Sequence, residues 1–464
     1  MRNYFHGMVI TLGALALIAL SAVPSQAQAA GGAAAGAAAG GQAGKPQPTM
    51  AEYNAFQACN GMSADAAGQV KCLDDFLSKY PTSSYLQYAY QLEYVAYGKL
   101  KNYAKAIEAA DKLIAMDGPD AGVKAQAALA RVQAFQAGYD PKTNDTAALT
   151  KDRDLALSIP KMLSQIPPKQ GMSAADMAKA LQPAVNIADD QAGWADIQLK
   201  DYPSAVTVYK DAITNKPDDA AATYELGTAY LAMNPPQSLD GFWAIARAIN
   251  LKVPTADKVQ DYLRSKILAY EQPGCDSQVD DQLKEMLQLA ANSPDRPATY
   301  TIPSAADLTQ IRSASTIVSI VGDLSGGGDK AKMTWLATCG SELSAVSGKI
   351  IDVQPGDSTI DFMVYTGATP EDMQAATTAN MDVKVYTAMP ATPPPAPAGG
   401  TAPTITPQPD VSRLAKDDPI VFSGTLSGYD PSPFLLHWTD VKVDPSAIPA
   451  EKGAAKKPAR GGTK

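Results

Sequence analysis

Apolar residues recur at helical spacing from Ala51 to about Ala291, and the pattern shifts to strand-like alternation from Val346 onward. Ala51 to Asn60 and Ala66 to Lys79 read as a helix pair ended by Pro81, and Tyr85 to Gly118 reads as a second pair. Asp120 to Ala137 places Ala125, Ala128, Val132 and Phe135 on one helical face. A loop over Gly138 to Asp145 and a helix over Thr146 to Gln165 follow, stopped by Pro167-Pro168. Ser173 is a plausible N-cap for a helix running through Leu181. Leu239 to Asn250 reads as a helix pushed later by the insertion around Asn234-Pro235-Pro236, and Ala256 to Tyr270 with Ser277 to Ala290 reads as a closing pair. Beyond Asn292 one more helix is expected over Ser304 to Ile320, then a turn at Gly326-Gly327-Gly328, while Lys332 to Cys339 fits either strand or helix. Five strands are expected over Val346 to Val353, Thr359 to Tyr365, Met381 to Thr387, Pro419 to Ser423 and Phe434 to Val443.

The most ordered stretch is Asp190 to Pro254. Gly193 and Gly227 stand 34 residues apart, with Tyr202, Ala205, Tyr209, Ala212 and Pro217 between them and Leu226 and Tyr230 flanking the second glycine. This spacing resembles the tetratricopeptide repeat (TPR), a helix–turn–helix unit of about 34 residues. Small residues at Gly193 and Ala205 let two helices approach, Tyr209 fills the space beside them, and Pro217 ends the second helix. Asp196 departs from the pattern where an aromatic is usual, as do Tyr94 in place of a small residue and Gly118 in place of proline. The resemblance implies a stack of helical hairpins with a groove that binds a protein or peptide segment. The chain is also similar to uncharacterised exported bacterial TPR proteins with a β-rich C-terminal part. The phrase from Asp417 to Val443 resembles the last hairpin of an OB-like barrel, with a glycine-assisted bulge in Val421-Phe422-Ser423-Gly424.

The expected organisation is therefore a leader over 1–29, a Gly/Ala-rich linker over 30–50 and a helical array over 51–291. A mixed connecting segment over 292–345, a β-rich domain over 346–445 with a Pro-rich loop at 390–410, and a basic tail over 446–464 complete it. The leader reading rests on Arg2, the uncharged apolar run from Met8 to Val23 and the Ala27-Gln28-Ala29 cleavage pattern. It implies export to the periplasm or cell envelope, where disulfides form. Cys59, Cys72, Cys275 and Cys339 allow three pairings. Joining Cys59 to Cys72 staples one hairpin, and Cys275–Cys339 then ties the array to the C-terminal region; four reduced buried thiols are the alternative.

Composition narrows the chemistry. A net charge of −9 disfavours non-specific nucleic-acid binding. Of two histidines only His437 lies beyond the leader, which disfavours histidine-rich metal sites and Ser–His–Asp catalysis. The run from Gly322 to Lys332 lacks the Lys-Ser/Thr step of a phosphate loop and reads as a turn. The pairs Asp74-Asp75, Asp189-Asp190, Asp218-Asp219 and Asp280-Asp281 read as solvated or helix-start acids. Tyr85, Tyr88, Tyr90, Tyr94 and Tyr97 spread over more than one helical face, and Tyr224, Phe242 and Trp243 mark the last repeat; most fit packing roles. These observations lead to a non-enzymatic exported scaffold with no cofactor, no metal and no catalytic residue, binding a protein or peptide. An envelope hydrolase around His437, or a ligand site in the β domain, is the competing expectation.

Overall fold

The computed structural model describes residues 49–390 and 405–450. The expected leader, most of the linker, most of the Pro-rich loop and the tail beyond 450 lie outside these residues. The chain divides into two compact units, with the boundary between Val253 and Pro254.

The first unit is a succession of antiparallel helices: α1 (Met50–Asn60), α2 (Ala66–Lys79), α3 (Leu86–Lys99), α4 (Tyr103–Ala115), α5 (Ala121–Gly138), α6 (Thr146–Ser164), α7 (Ala174–Leu199), α8 (Tyr202–Asn215), α9 (Ala220–Ala232) and α10 (Ser238–Asn250). Their starts are written in the sequence. The side chains of Thr49, Asp65, Asn102, Asp120, Asp145, Ser173, Asp201 and Asp219 each accept a backbone N–H from the first turn they precede. Each such cap contributes about 1 kcal/mol. Buried alanines, among them Ala89, Ala106, Ala110, Ala125, Ala128, Ala188 and Ala192, let the helices pack closely. Each helix packs on the next, and α3, α5 and α7 also touch in turn, so the first helices of successive hairpins share one face. The helix opened by Ser173 does not stop at Leu181. It runs 26 residues to Leu199 through Pro183, which lies on the exposed side of the helix, while Met177, Leu181, Ala184 and Ala188 hold its buried side against its neighbours.

Gly193 is a contact point. A methyl group there would lie 2.6 Å from the Tyr209 ring. Gly193→Ala is therefore expected to destabilise the first unit by roughly 1–3 kcal/mol, despite alanine's better helix propensity. Gly322, inside a helix of the second unit, has nothing within 4 Å of the same position. Gly322→Ala should stabilise its unit by about 0.5–1 kcal/mol. Urea unfolding of the two variants checks that one chemical change has opposite signs at the two sites.

The second unit begins with α11 (Ala256–Glu271) and α12 (Ser277–Asn292), followed by α13 (Ala305–Ala314), α14 (Ile317–Gly326) and α15 (Gly328–Thr338). The array expected to run to 291 thus ends earlier as a compact unit, at Val253, and the pair α11–α12 falls with the barrel. Contacts between α11 and α13, the Cys275–Cys339 disulfide and the Gly274 N–H donating to the Leu336 carbonyl (3.3 Å) hold it there. The disulfide lies wholly inside the second unit, not between an array and a C-terminal region. The single helix expected over Ser304 to Ile320 is two. Ser315 is extended, and Thr316 opens α14 with a reciprocal Thr316–Ser319 capping box. The ambiguous stretch from Lys332 is helical.

The strands β1 (Glu342–Pro355), β2 (Thr359–Tyr365), β3 (Met381–Tyr386), β4 (Pro419–Pro431) and β5 (Phe434–Val443) form a closed barrel in the order β1-β2-β3-β5-β4. A short helix, α16 (Pro370–Ala375), lies between β2 and β3. All pairings are antiparallel except β3 with β5. β1 serves both edges: its first half pairs with β4 and its second with β2, and Lys349 pairs with both. Two register shifts let β1 bend, and at Gly348 any side chain would collide with Val364. β4 extends beyond the expected Ser423 because its glycines are absorbed as irregularities, between Ser423 and Thr425 and between Leu426 and Gly428. Alternate residues point inward: Ile360, Phe362 and Val364 on β2, Met381, Val383 and Val385 on β3. This core continues into Ile320, Leu324, Ala331 and Trp335 of α14 and α15, which close the barrel.

Glu271, at the end of α11, is fully buried, and neither carboxylate oxygen has a hydrogen-bond partner. Burial raises its carboxyl to about 7. Its protonated form is the one that the fold tolerates. Its contribution is complete below the unfolded pKa and is lost as pH rises through about 7. Glu271→Gln should leave stability unchanged below pH 4.5 and raise it progressively as pH climbs to about 7, reaching on the order of 3 kcal/mol. Thermal melts across that range test this; equal effects at both ends would refute it.

Candidate functional site

Most of the repeat-motif residues are packing residues. Ala205, Tyr209, Ala212, Leu226 and Tyr230 form one buried cluster, and Gly193 sits against Tyr209. Gly227 is equally tight: a methyl group there would lie 2.6 Å from Ile245. Tyr202 begins α8, and Pro217 follows it in an exposed turn. Four of the five clustered tyrosines of α3 and its start are half-buried; Tyr94 is buried, and Tyr85 stacks on Phe56 with ring centroids 5.0 Å apart. Phe242 and Trp243 are core residues.

The feature that the repeat pattern did not disclose lies on the shared face of the first helices. Phe135 and Tyr139 at the end of α5 meet Trp194 of α7, with ring centroids 6.3 Å and 5.5 Å from the tryptophan. All three remain partly exposed. Beside them the Gln191 amide donates to the Gln136 side-chain oxygen at 2.8 Å, while the Gln191 oxygen is buried without a partner. Asp190 lies one turn before Trp194 on α7, so the two share a helix face. Burial pushes the Asp190 carboxyl up to about 7; the charges of Asp219, Asp189 and Glu225 add to this, and Lys216 opposes it. Burial likewise raises Glu225 of α9 to about 7, against the hydroxyl of Thr228, which donates to it at 3.2 Å. Asp189 is raised to about 6, by burial first and then by Asp211. A sequence signal existed for this face: Phe135 was already on the apolar face of α5, but its partner Trp194 is 59 positions away.

The other acids resolve as expected for structural roles. Asp219 caps α9, Asp280 pairs with Arg264 at 2.6 Å, and Asp281 pairs with Lys284 at 3.1 Å. The glycine run joins α14 to α15, with Lys330 paired to Asp323 at 2.7 Å. His437 lies on the outer face of β5, its Nε2 3.0 Å from Asp430 and its Nδ1 3.5 Å from Asp382. The imidazole is thus oriented by two carboxylates. Among the described residues no group of three or more His, Cys, Asp or Glu side chains is arranged to hold a metal ion.

No family model matches the chain. No curated protein matches it either. Among solved structures it is similar to the C-terminal part of a TPR repeat-containing protein from Cytophaga hutchinsonii, at 14% identity and a TM-score of 0.24, over 51% of this chain and 92% of that one. The architecture stands on this chain's own packing: a helical-repeat array and a closed five-stranded barrel.

Proposed function

We propose that the chain is an exported scaffold of the TPR type that binds a protein or peptide segment along the first-helix face of its array, without catalysing a reaction. The observation that carries this reading is the partly exposed aromatic trio Phe135, Tyr139 and Trp194, spread over two successive first helices. Large aromatics left partly exposed on a binding face are what anchor partner segments, and they dominate binding energy where they do. The export reading is supported by the two disulfides and by the apolar run near Met8. Crosslinking pull-down of the full-length chain from envelope extract should enrich a defined protein. Trp194→Ala should reduce that capture at least tenfold, about 1.4 kcal/mol, with helical content unchanged. Capture that survives the substitution sinks the assignment of this face. A hydrolase centred on His437 is the competing reading, favoured by the carboxylate pair that orients its ring; His437→Ala leaving any hydrolytic activity intact removes it.

A further inference from the structure

The second unit carries a cavity of about 420 Å3 that the peptide-binding reading does not use. It is lined by Gln278 of α12, Trp335 of α15, Ser427, Gly428, Tyr429 and Pro431 of β4, and the Cys275–Cys339 disulfide. Its size falls within the range of small-molecule sites, roughly 300–1,000 Å3. We infer that this cavity binds a neutral saccharide.

Three properties of the lining lead there. The first is charge. No lining residue is ionisable near neutral pH, and a charged ligand leaving water needs an opposite charge or a dense set of hydrogen bonds in return. The occupant is therefore uncharged. The second is hydrogen-bonding capacity. The Gln278 amide supplies donors and an acceptor, and the Ser427 and Tyr429 hydroxyls each do both. Among the described residues none of these three side chains has a hydrogen-bond partner within the fold. Three free polar groups converging on one cavity suit a ligand dense in hydroxyl groups. The third is the apolar wall. The partly exposed Tyr429 ring presents it, with Pro431 and the disulfide beside it, and Trp335, 5% exposed, backs Tyr429 edge to face from the core with ring centroids 5.1 Å apart. A pyranose ring presents a C–H face for such a wall and a hydroxyl rim for the polar groups.

The cavity is also built on rigid parts. The disulfide fixes α12 to the end of α15, the Gly340 N–H donates to the Leu426 carbonyl at 2.8 Å, and β4 continues to Pro431 in register with β5. Gly428 lines the cavity without filling it; a methyl group added there would approach nothing closer than 3.7 Å.

The test uses the full-length oxidised chain and three neutral probes, maltose, cellobiose and N,N′-diacetylchitobiose, with gluconate and glucosamine as charged counterparts. Ligand-observed NMR and tryptophan fluorescence report binding. At least one neutral disaccharide should bind in the millimolar range or tighter, and the charged probes at least tenfold more weakly. Gln278→Ala and Tyr429→Ala should each lower the affinity at least tenfold. Tyr429→Phe, which keeps the ring, should lower it less and guards against misfolding of the alanine variant. Lys284→Ala, outside the cavity, should change nothing. The inference is overturned if no neutral probe binds, if the charged probes bind equally well, or if binding is indifferent to Gln278 and Tyr429. A proline-rich peptide that binds this cavity where the saccharides do not also overturns it. None of these outcomes bears on Trp194, so the peptide-binding face and the saccharide cavity stand or fall separately.

Discussion

Arg131→Met is expected to destabilise the first unit by about 3–5 kcal/mol, as much as a large core truncation. Arg131 of α5 is 3% exposed and hydrogen-bonds Asp152 of α6, which is 0% exposed. The guanidinium also reaches Asp111 of α4 at 3.3 Å and lies over the Phe135 ring at 5.5 Å. One side chain therefore joins three consecutive helices. Removing it leaves Asp152 buried without its cation, and the Asp152 carboxyl already has one oxygen unpartnered. The variant's deficit should widen as pH rises. Burial holds the Asp152 carboxyl at about 7 even with Arg131 pulling it down, so without arginine it stays protonated further and costs most when forced to ionise. The double variant Arg131→Met/Asp152→Leu should recover much of the loss, because two apolar groups of similar volume need no partners. Urea unfolding of both singles and the double closes the cycle. A double variant whose loss equals the sum of the singles would show that the two residues do not act as a pair.

How much of this was readable in advance follows from the range of each interaction. Helix starts were legible because an N-cap is a local event: Asp219 before Ala220 and Ser173 before Ala174 act within three residues. The contact of Gly193 with Tyr209 was legible because the repeat fixes which hairpin positions meet, and they are 16 residues apart. The Arg131–Asp152 pair was not. In a run such as Leu129-Ala130-Arg131-Val132, an arginine looks like a solvent residue interrupting an apolar face. The capping of α14 by Thr316 was local and still missed, because the apolar spacing of Ser304 to Ile320 continues across the break at Ser315. The barrel's five strands could be counted from alternation, but the parallel neighbour of β3 could not: Met381 pairs with Leu436 through contacts between distant segments. The aromatic trio and the cavity share this limit. Phe135 and Trp194, or Gln278, Trp335 and Tyr429, are each ordinary residues until the fold brings them together.

The cysteines show how connectivity converts into stability, and they give the second large effect. Spacing alone left three pairings open; the fold joins Cys59 to Cys72 and Cys275 to Cys339, with Cα atoms 5.4 Å and 5.6 Å apart. The first bridge spans 13 positions and the second 64. Loop-closure entropy then assigns the shorter bridge about 3 kcal/mol and the longer about 4 kcal/mol. The difference in consequence should exceed the difference in these figures. The short bridge joins α1 and α2, whose shared cluster also holds Phe56, Leu73 and Phe76, so much of that hairpin packs without it. The long bridge ties α11–α12 to the end of α15, where direct support is narrower: the Gly274 N–H on the Leu336 carbonyl, and a backbone approach at Gly274 so close that any side chain would overlap Cys339. Cys275→Ala/Cys339→Ala should thus lower the melting temperature of the second unit more than Cys59→Ala/Cys72→Ala lowers that of the first. Amide hydrogen exchange in the long-bridge variant should rise first around Gly274 to Val279 while the barrel strands stay protected. Uniform loss of protection across β1 to β5 would mean that the bridge holds the barrel itself. An unchanged melt would mean that the entropy removed from the unfolded chain is offset by residual structure there.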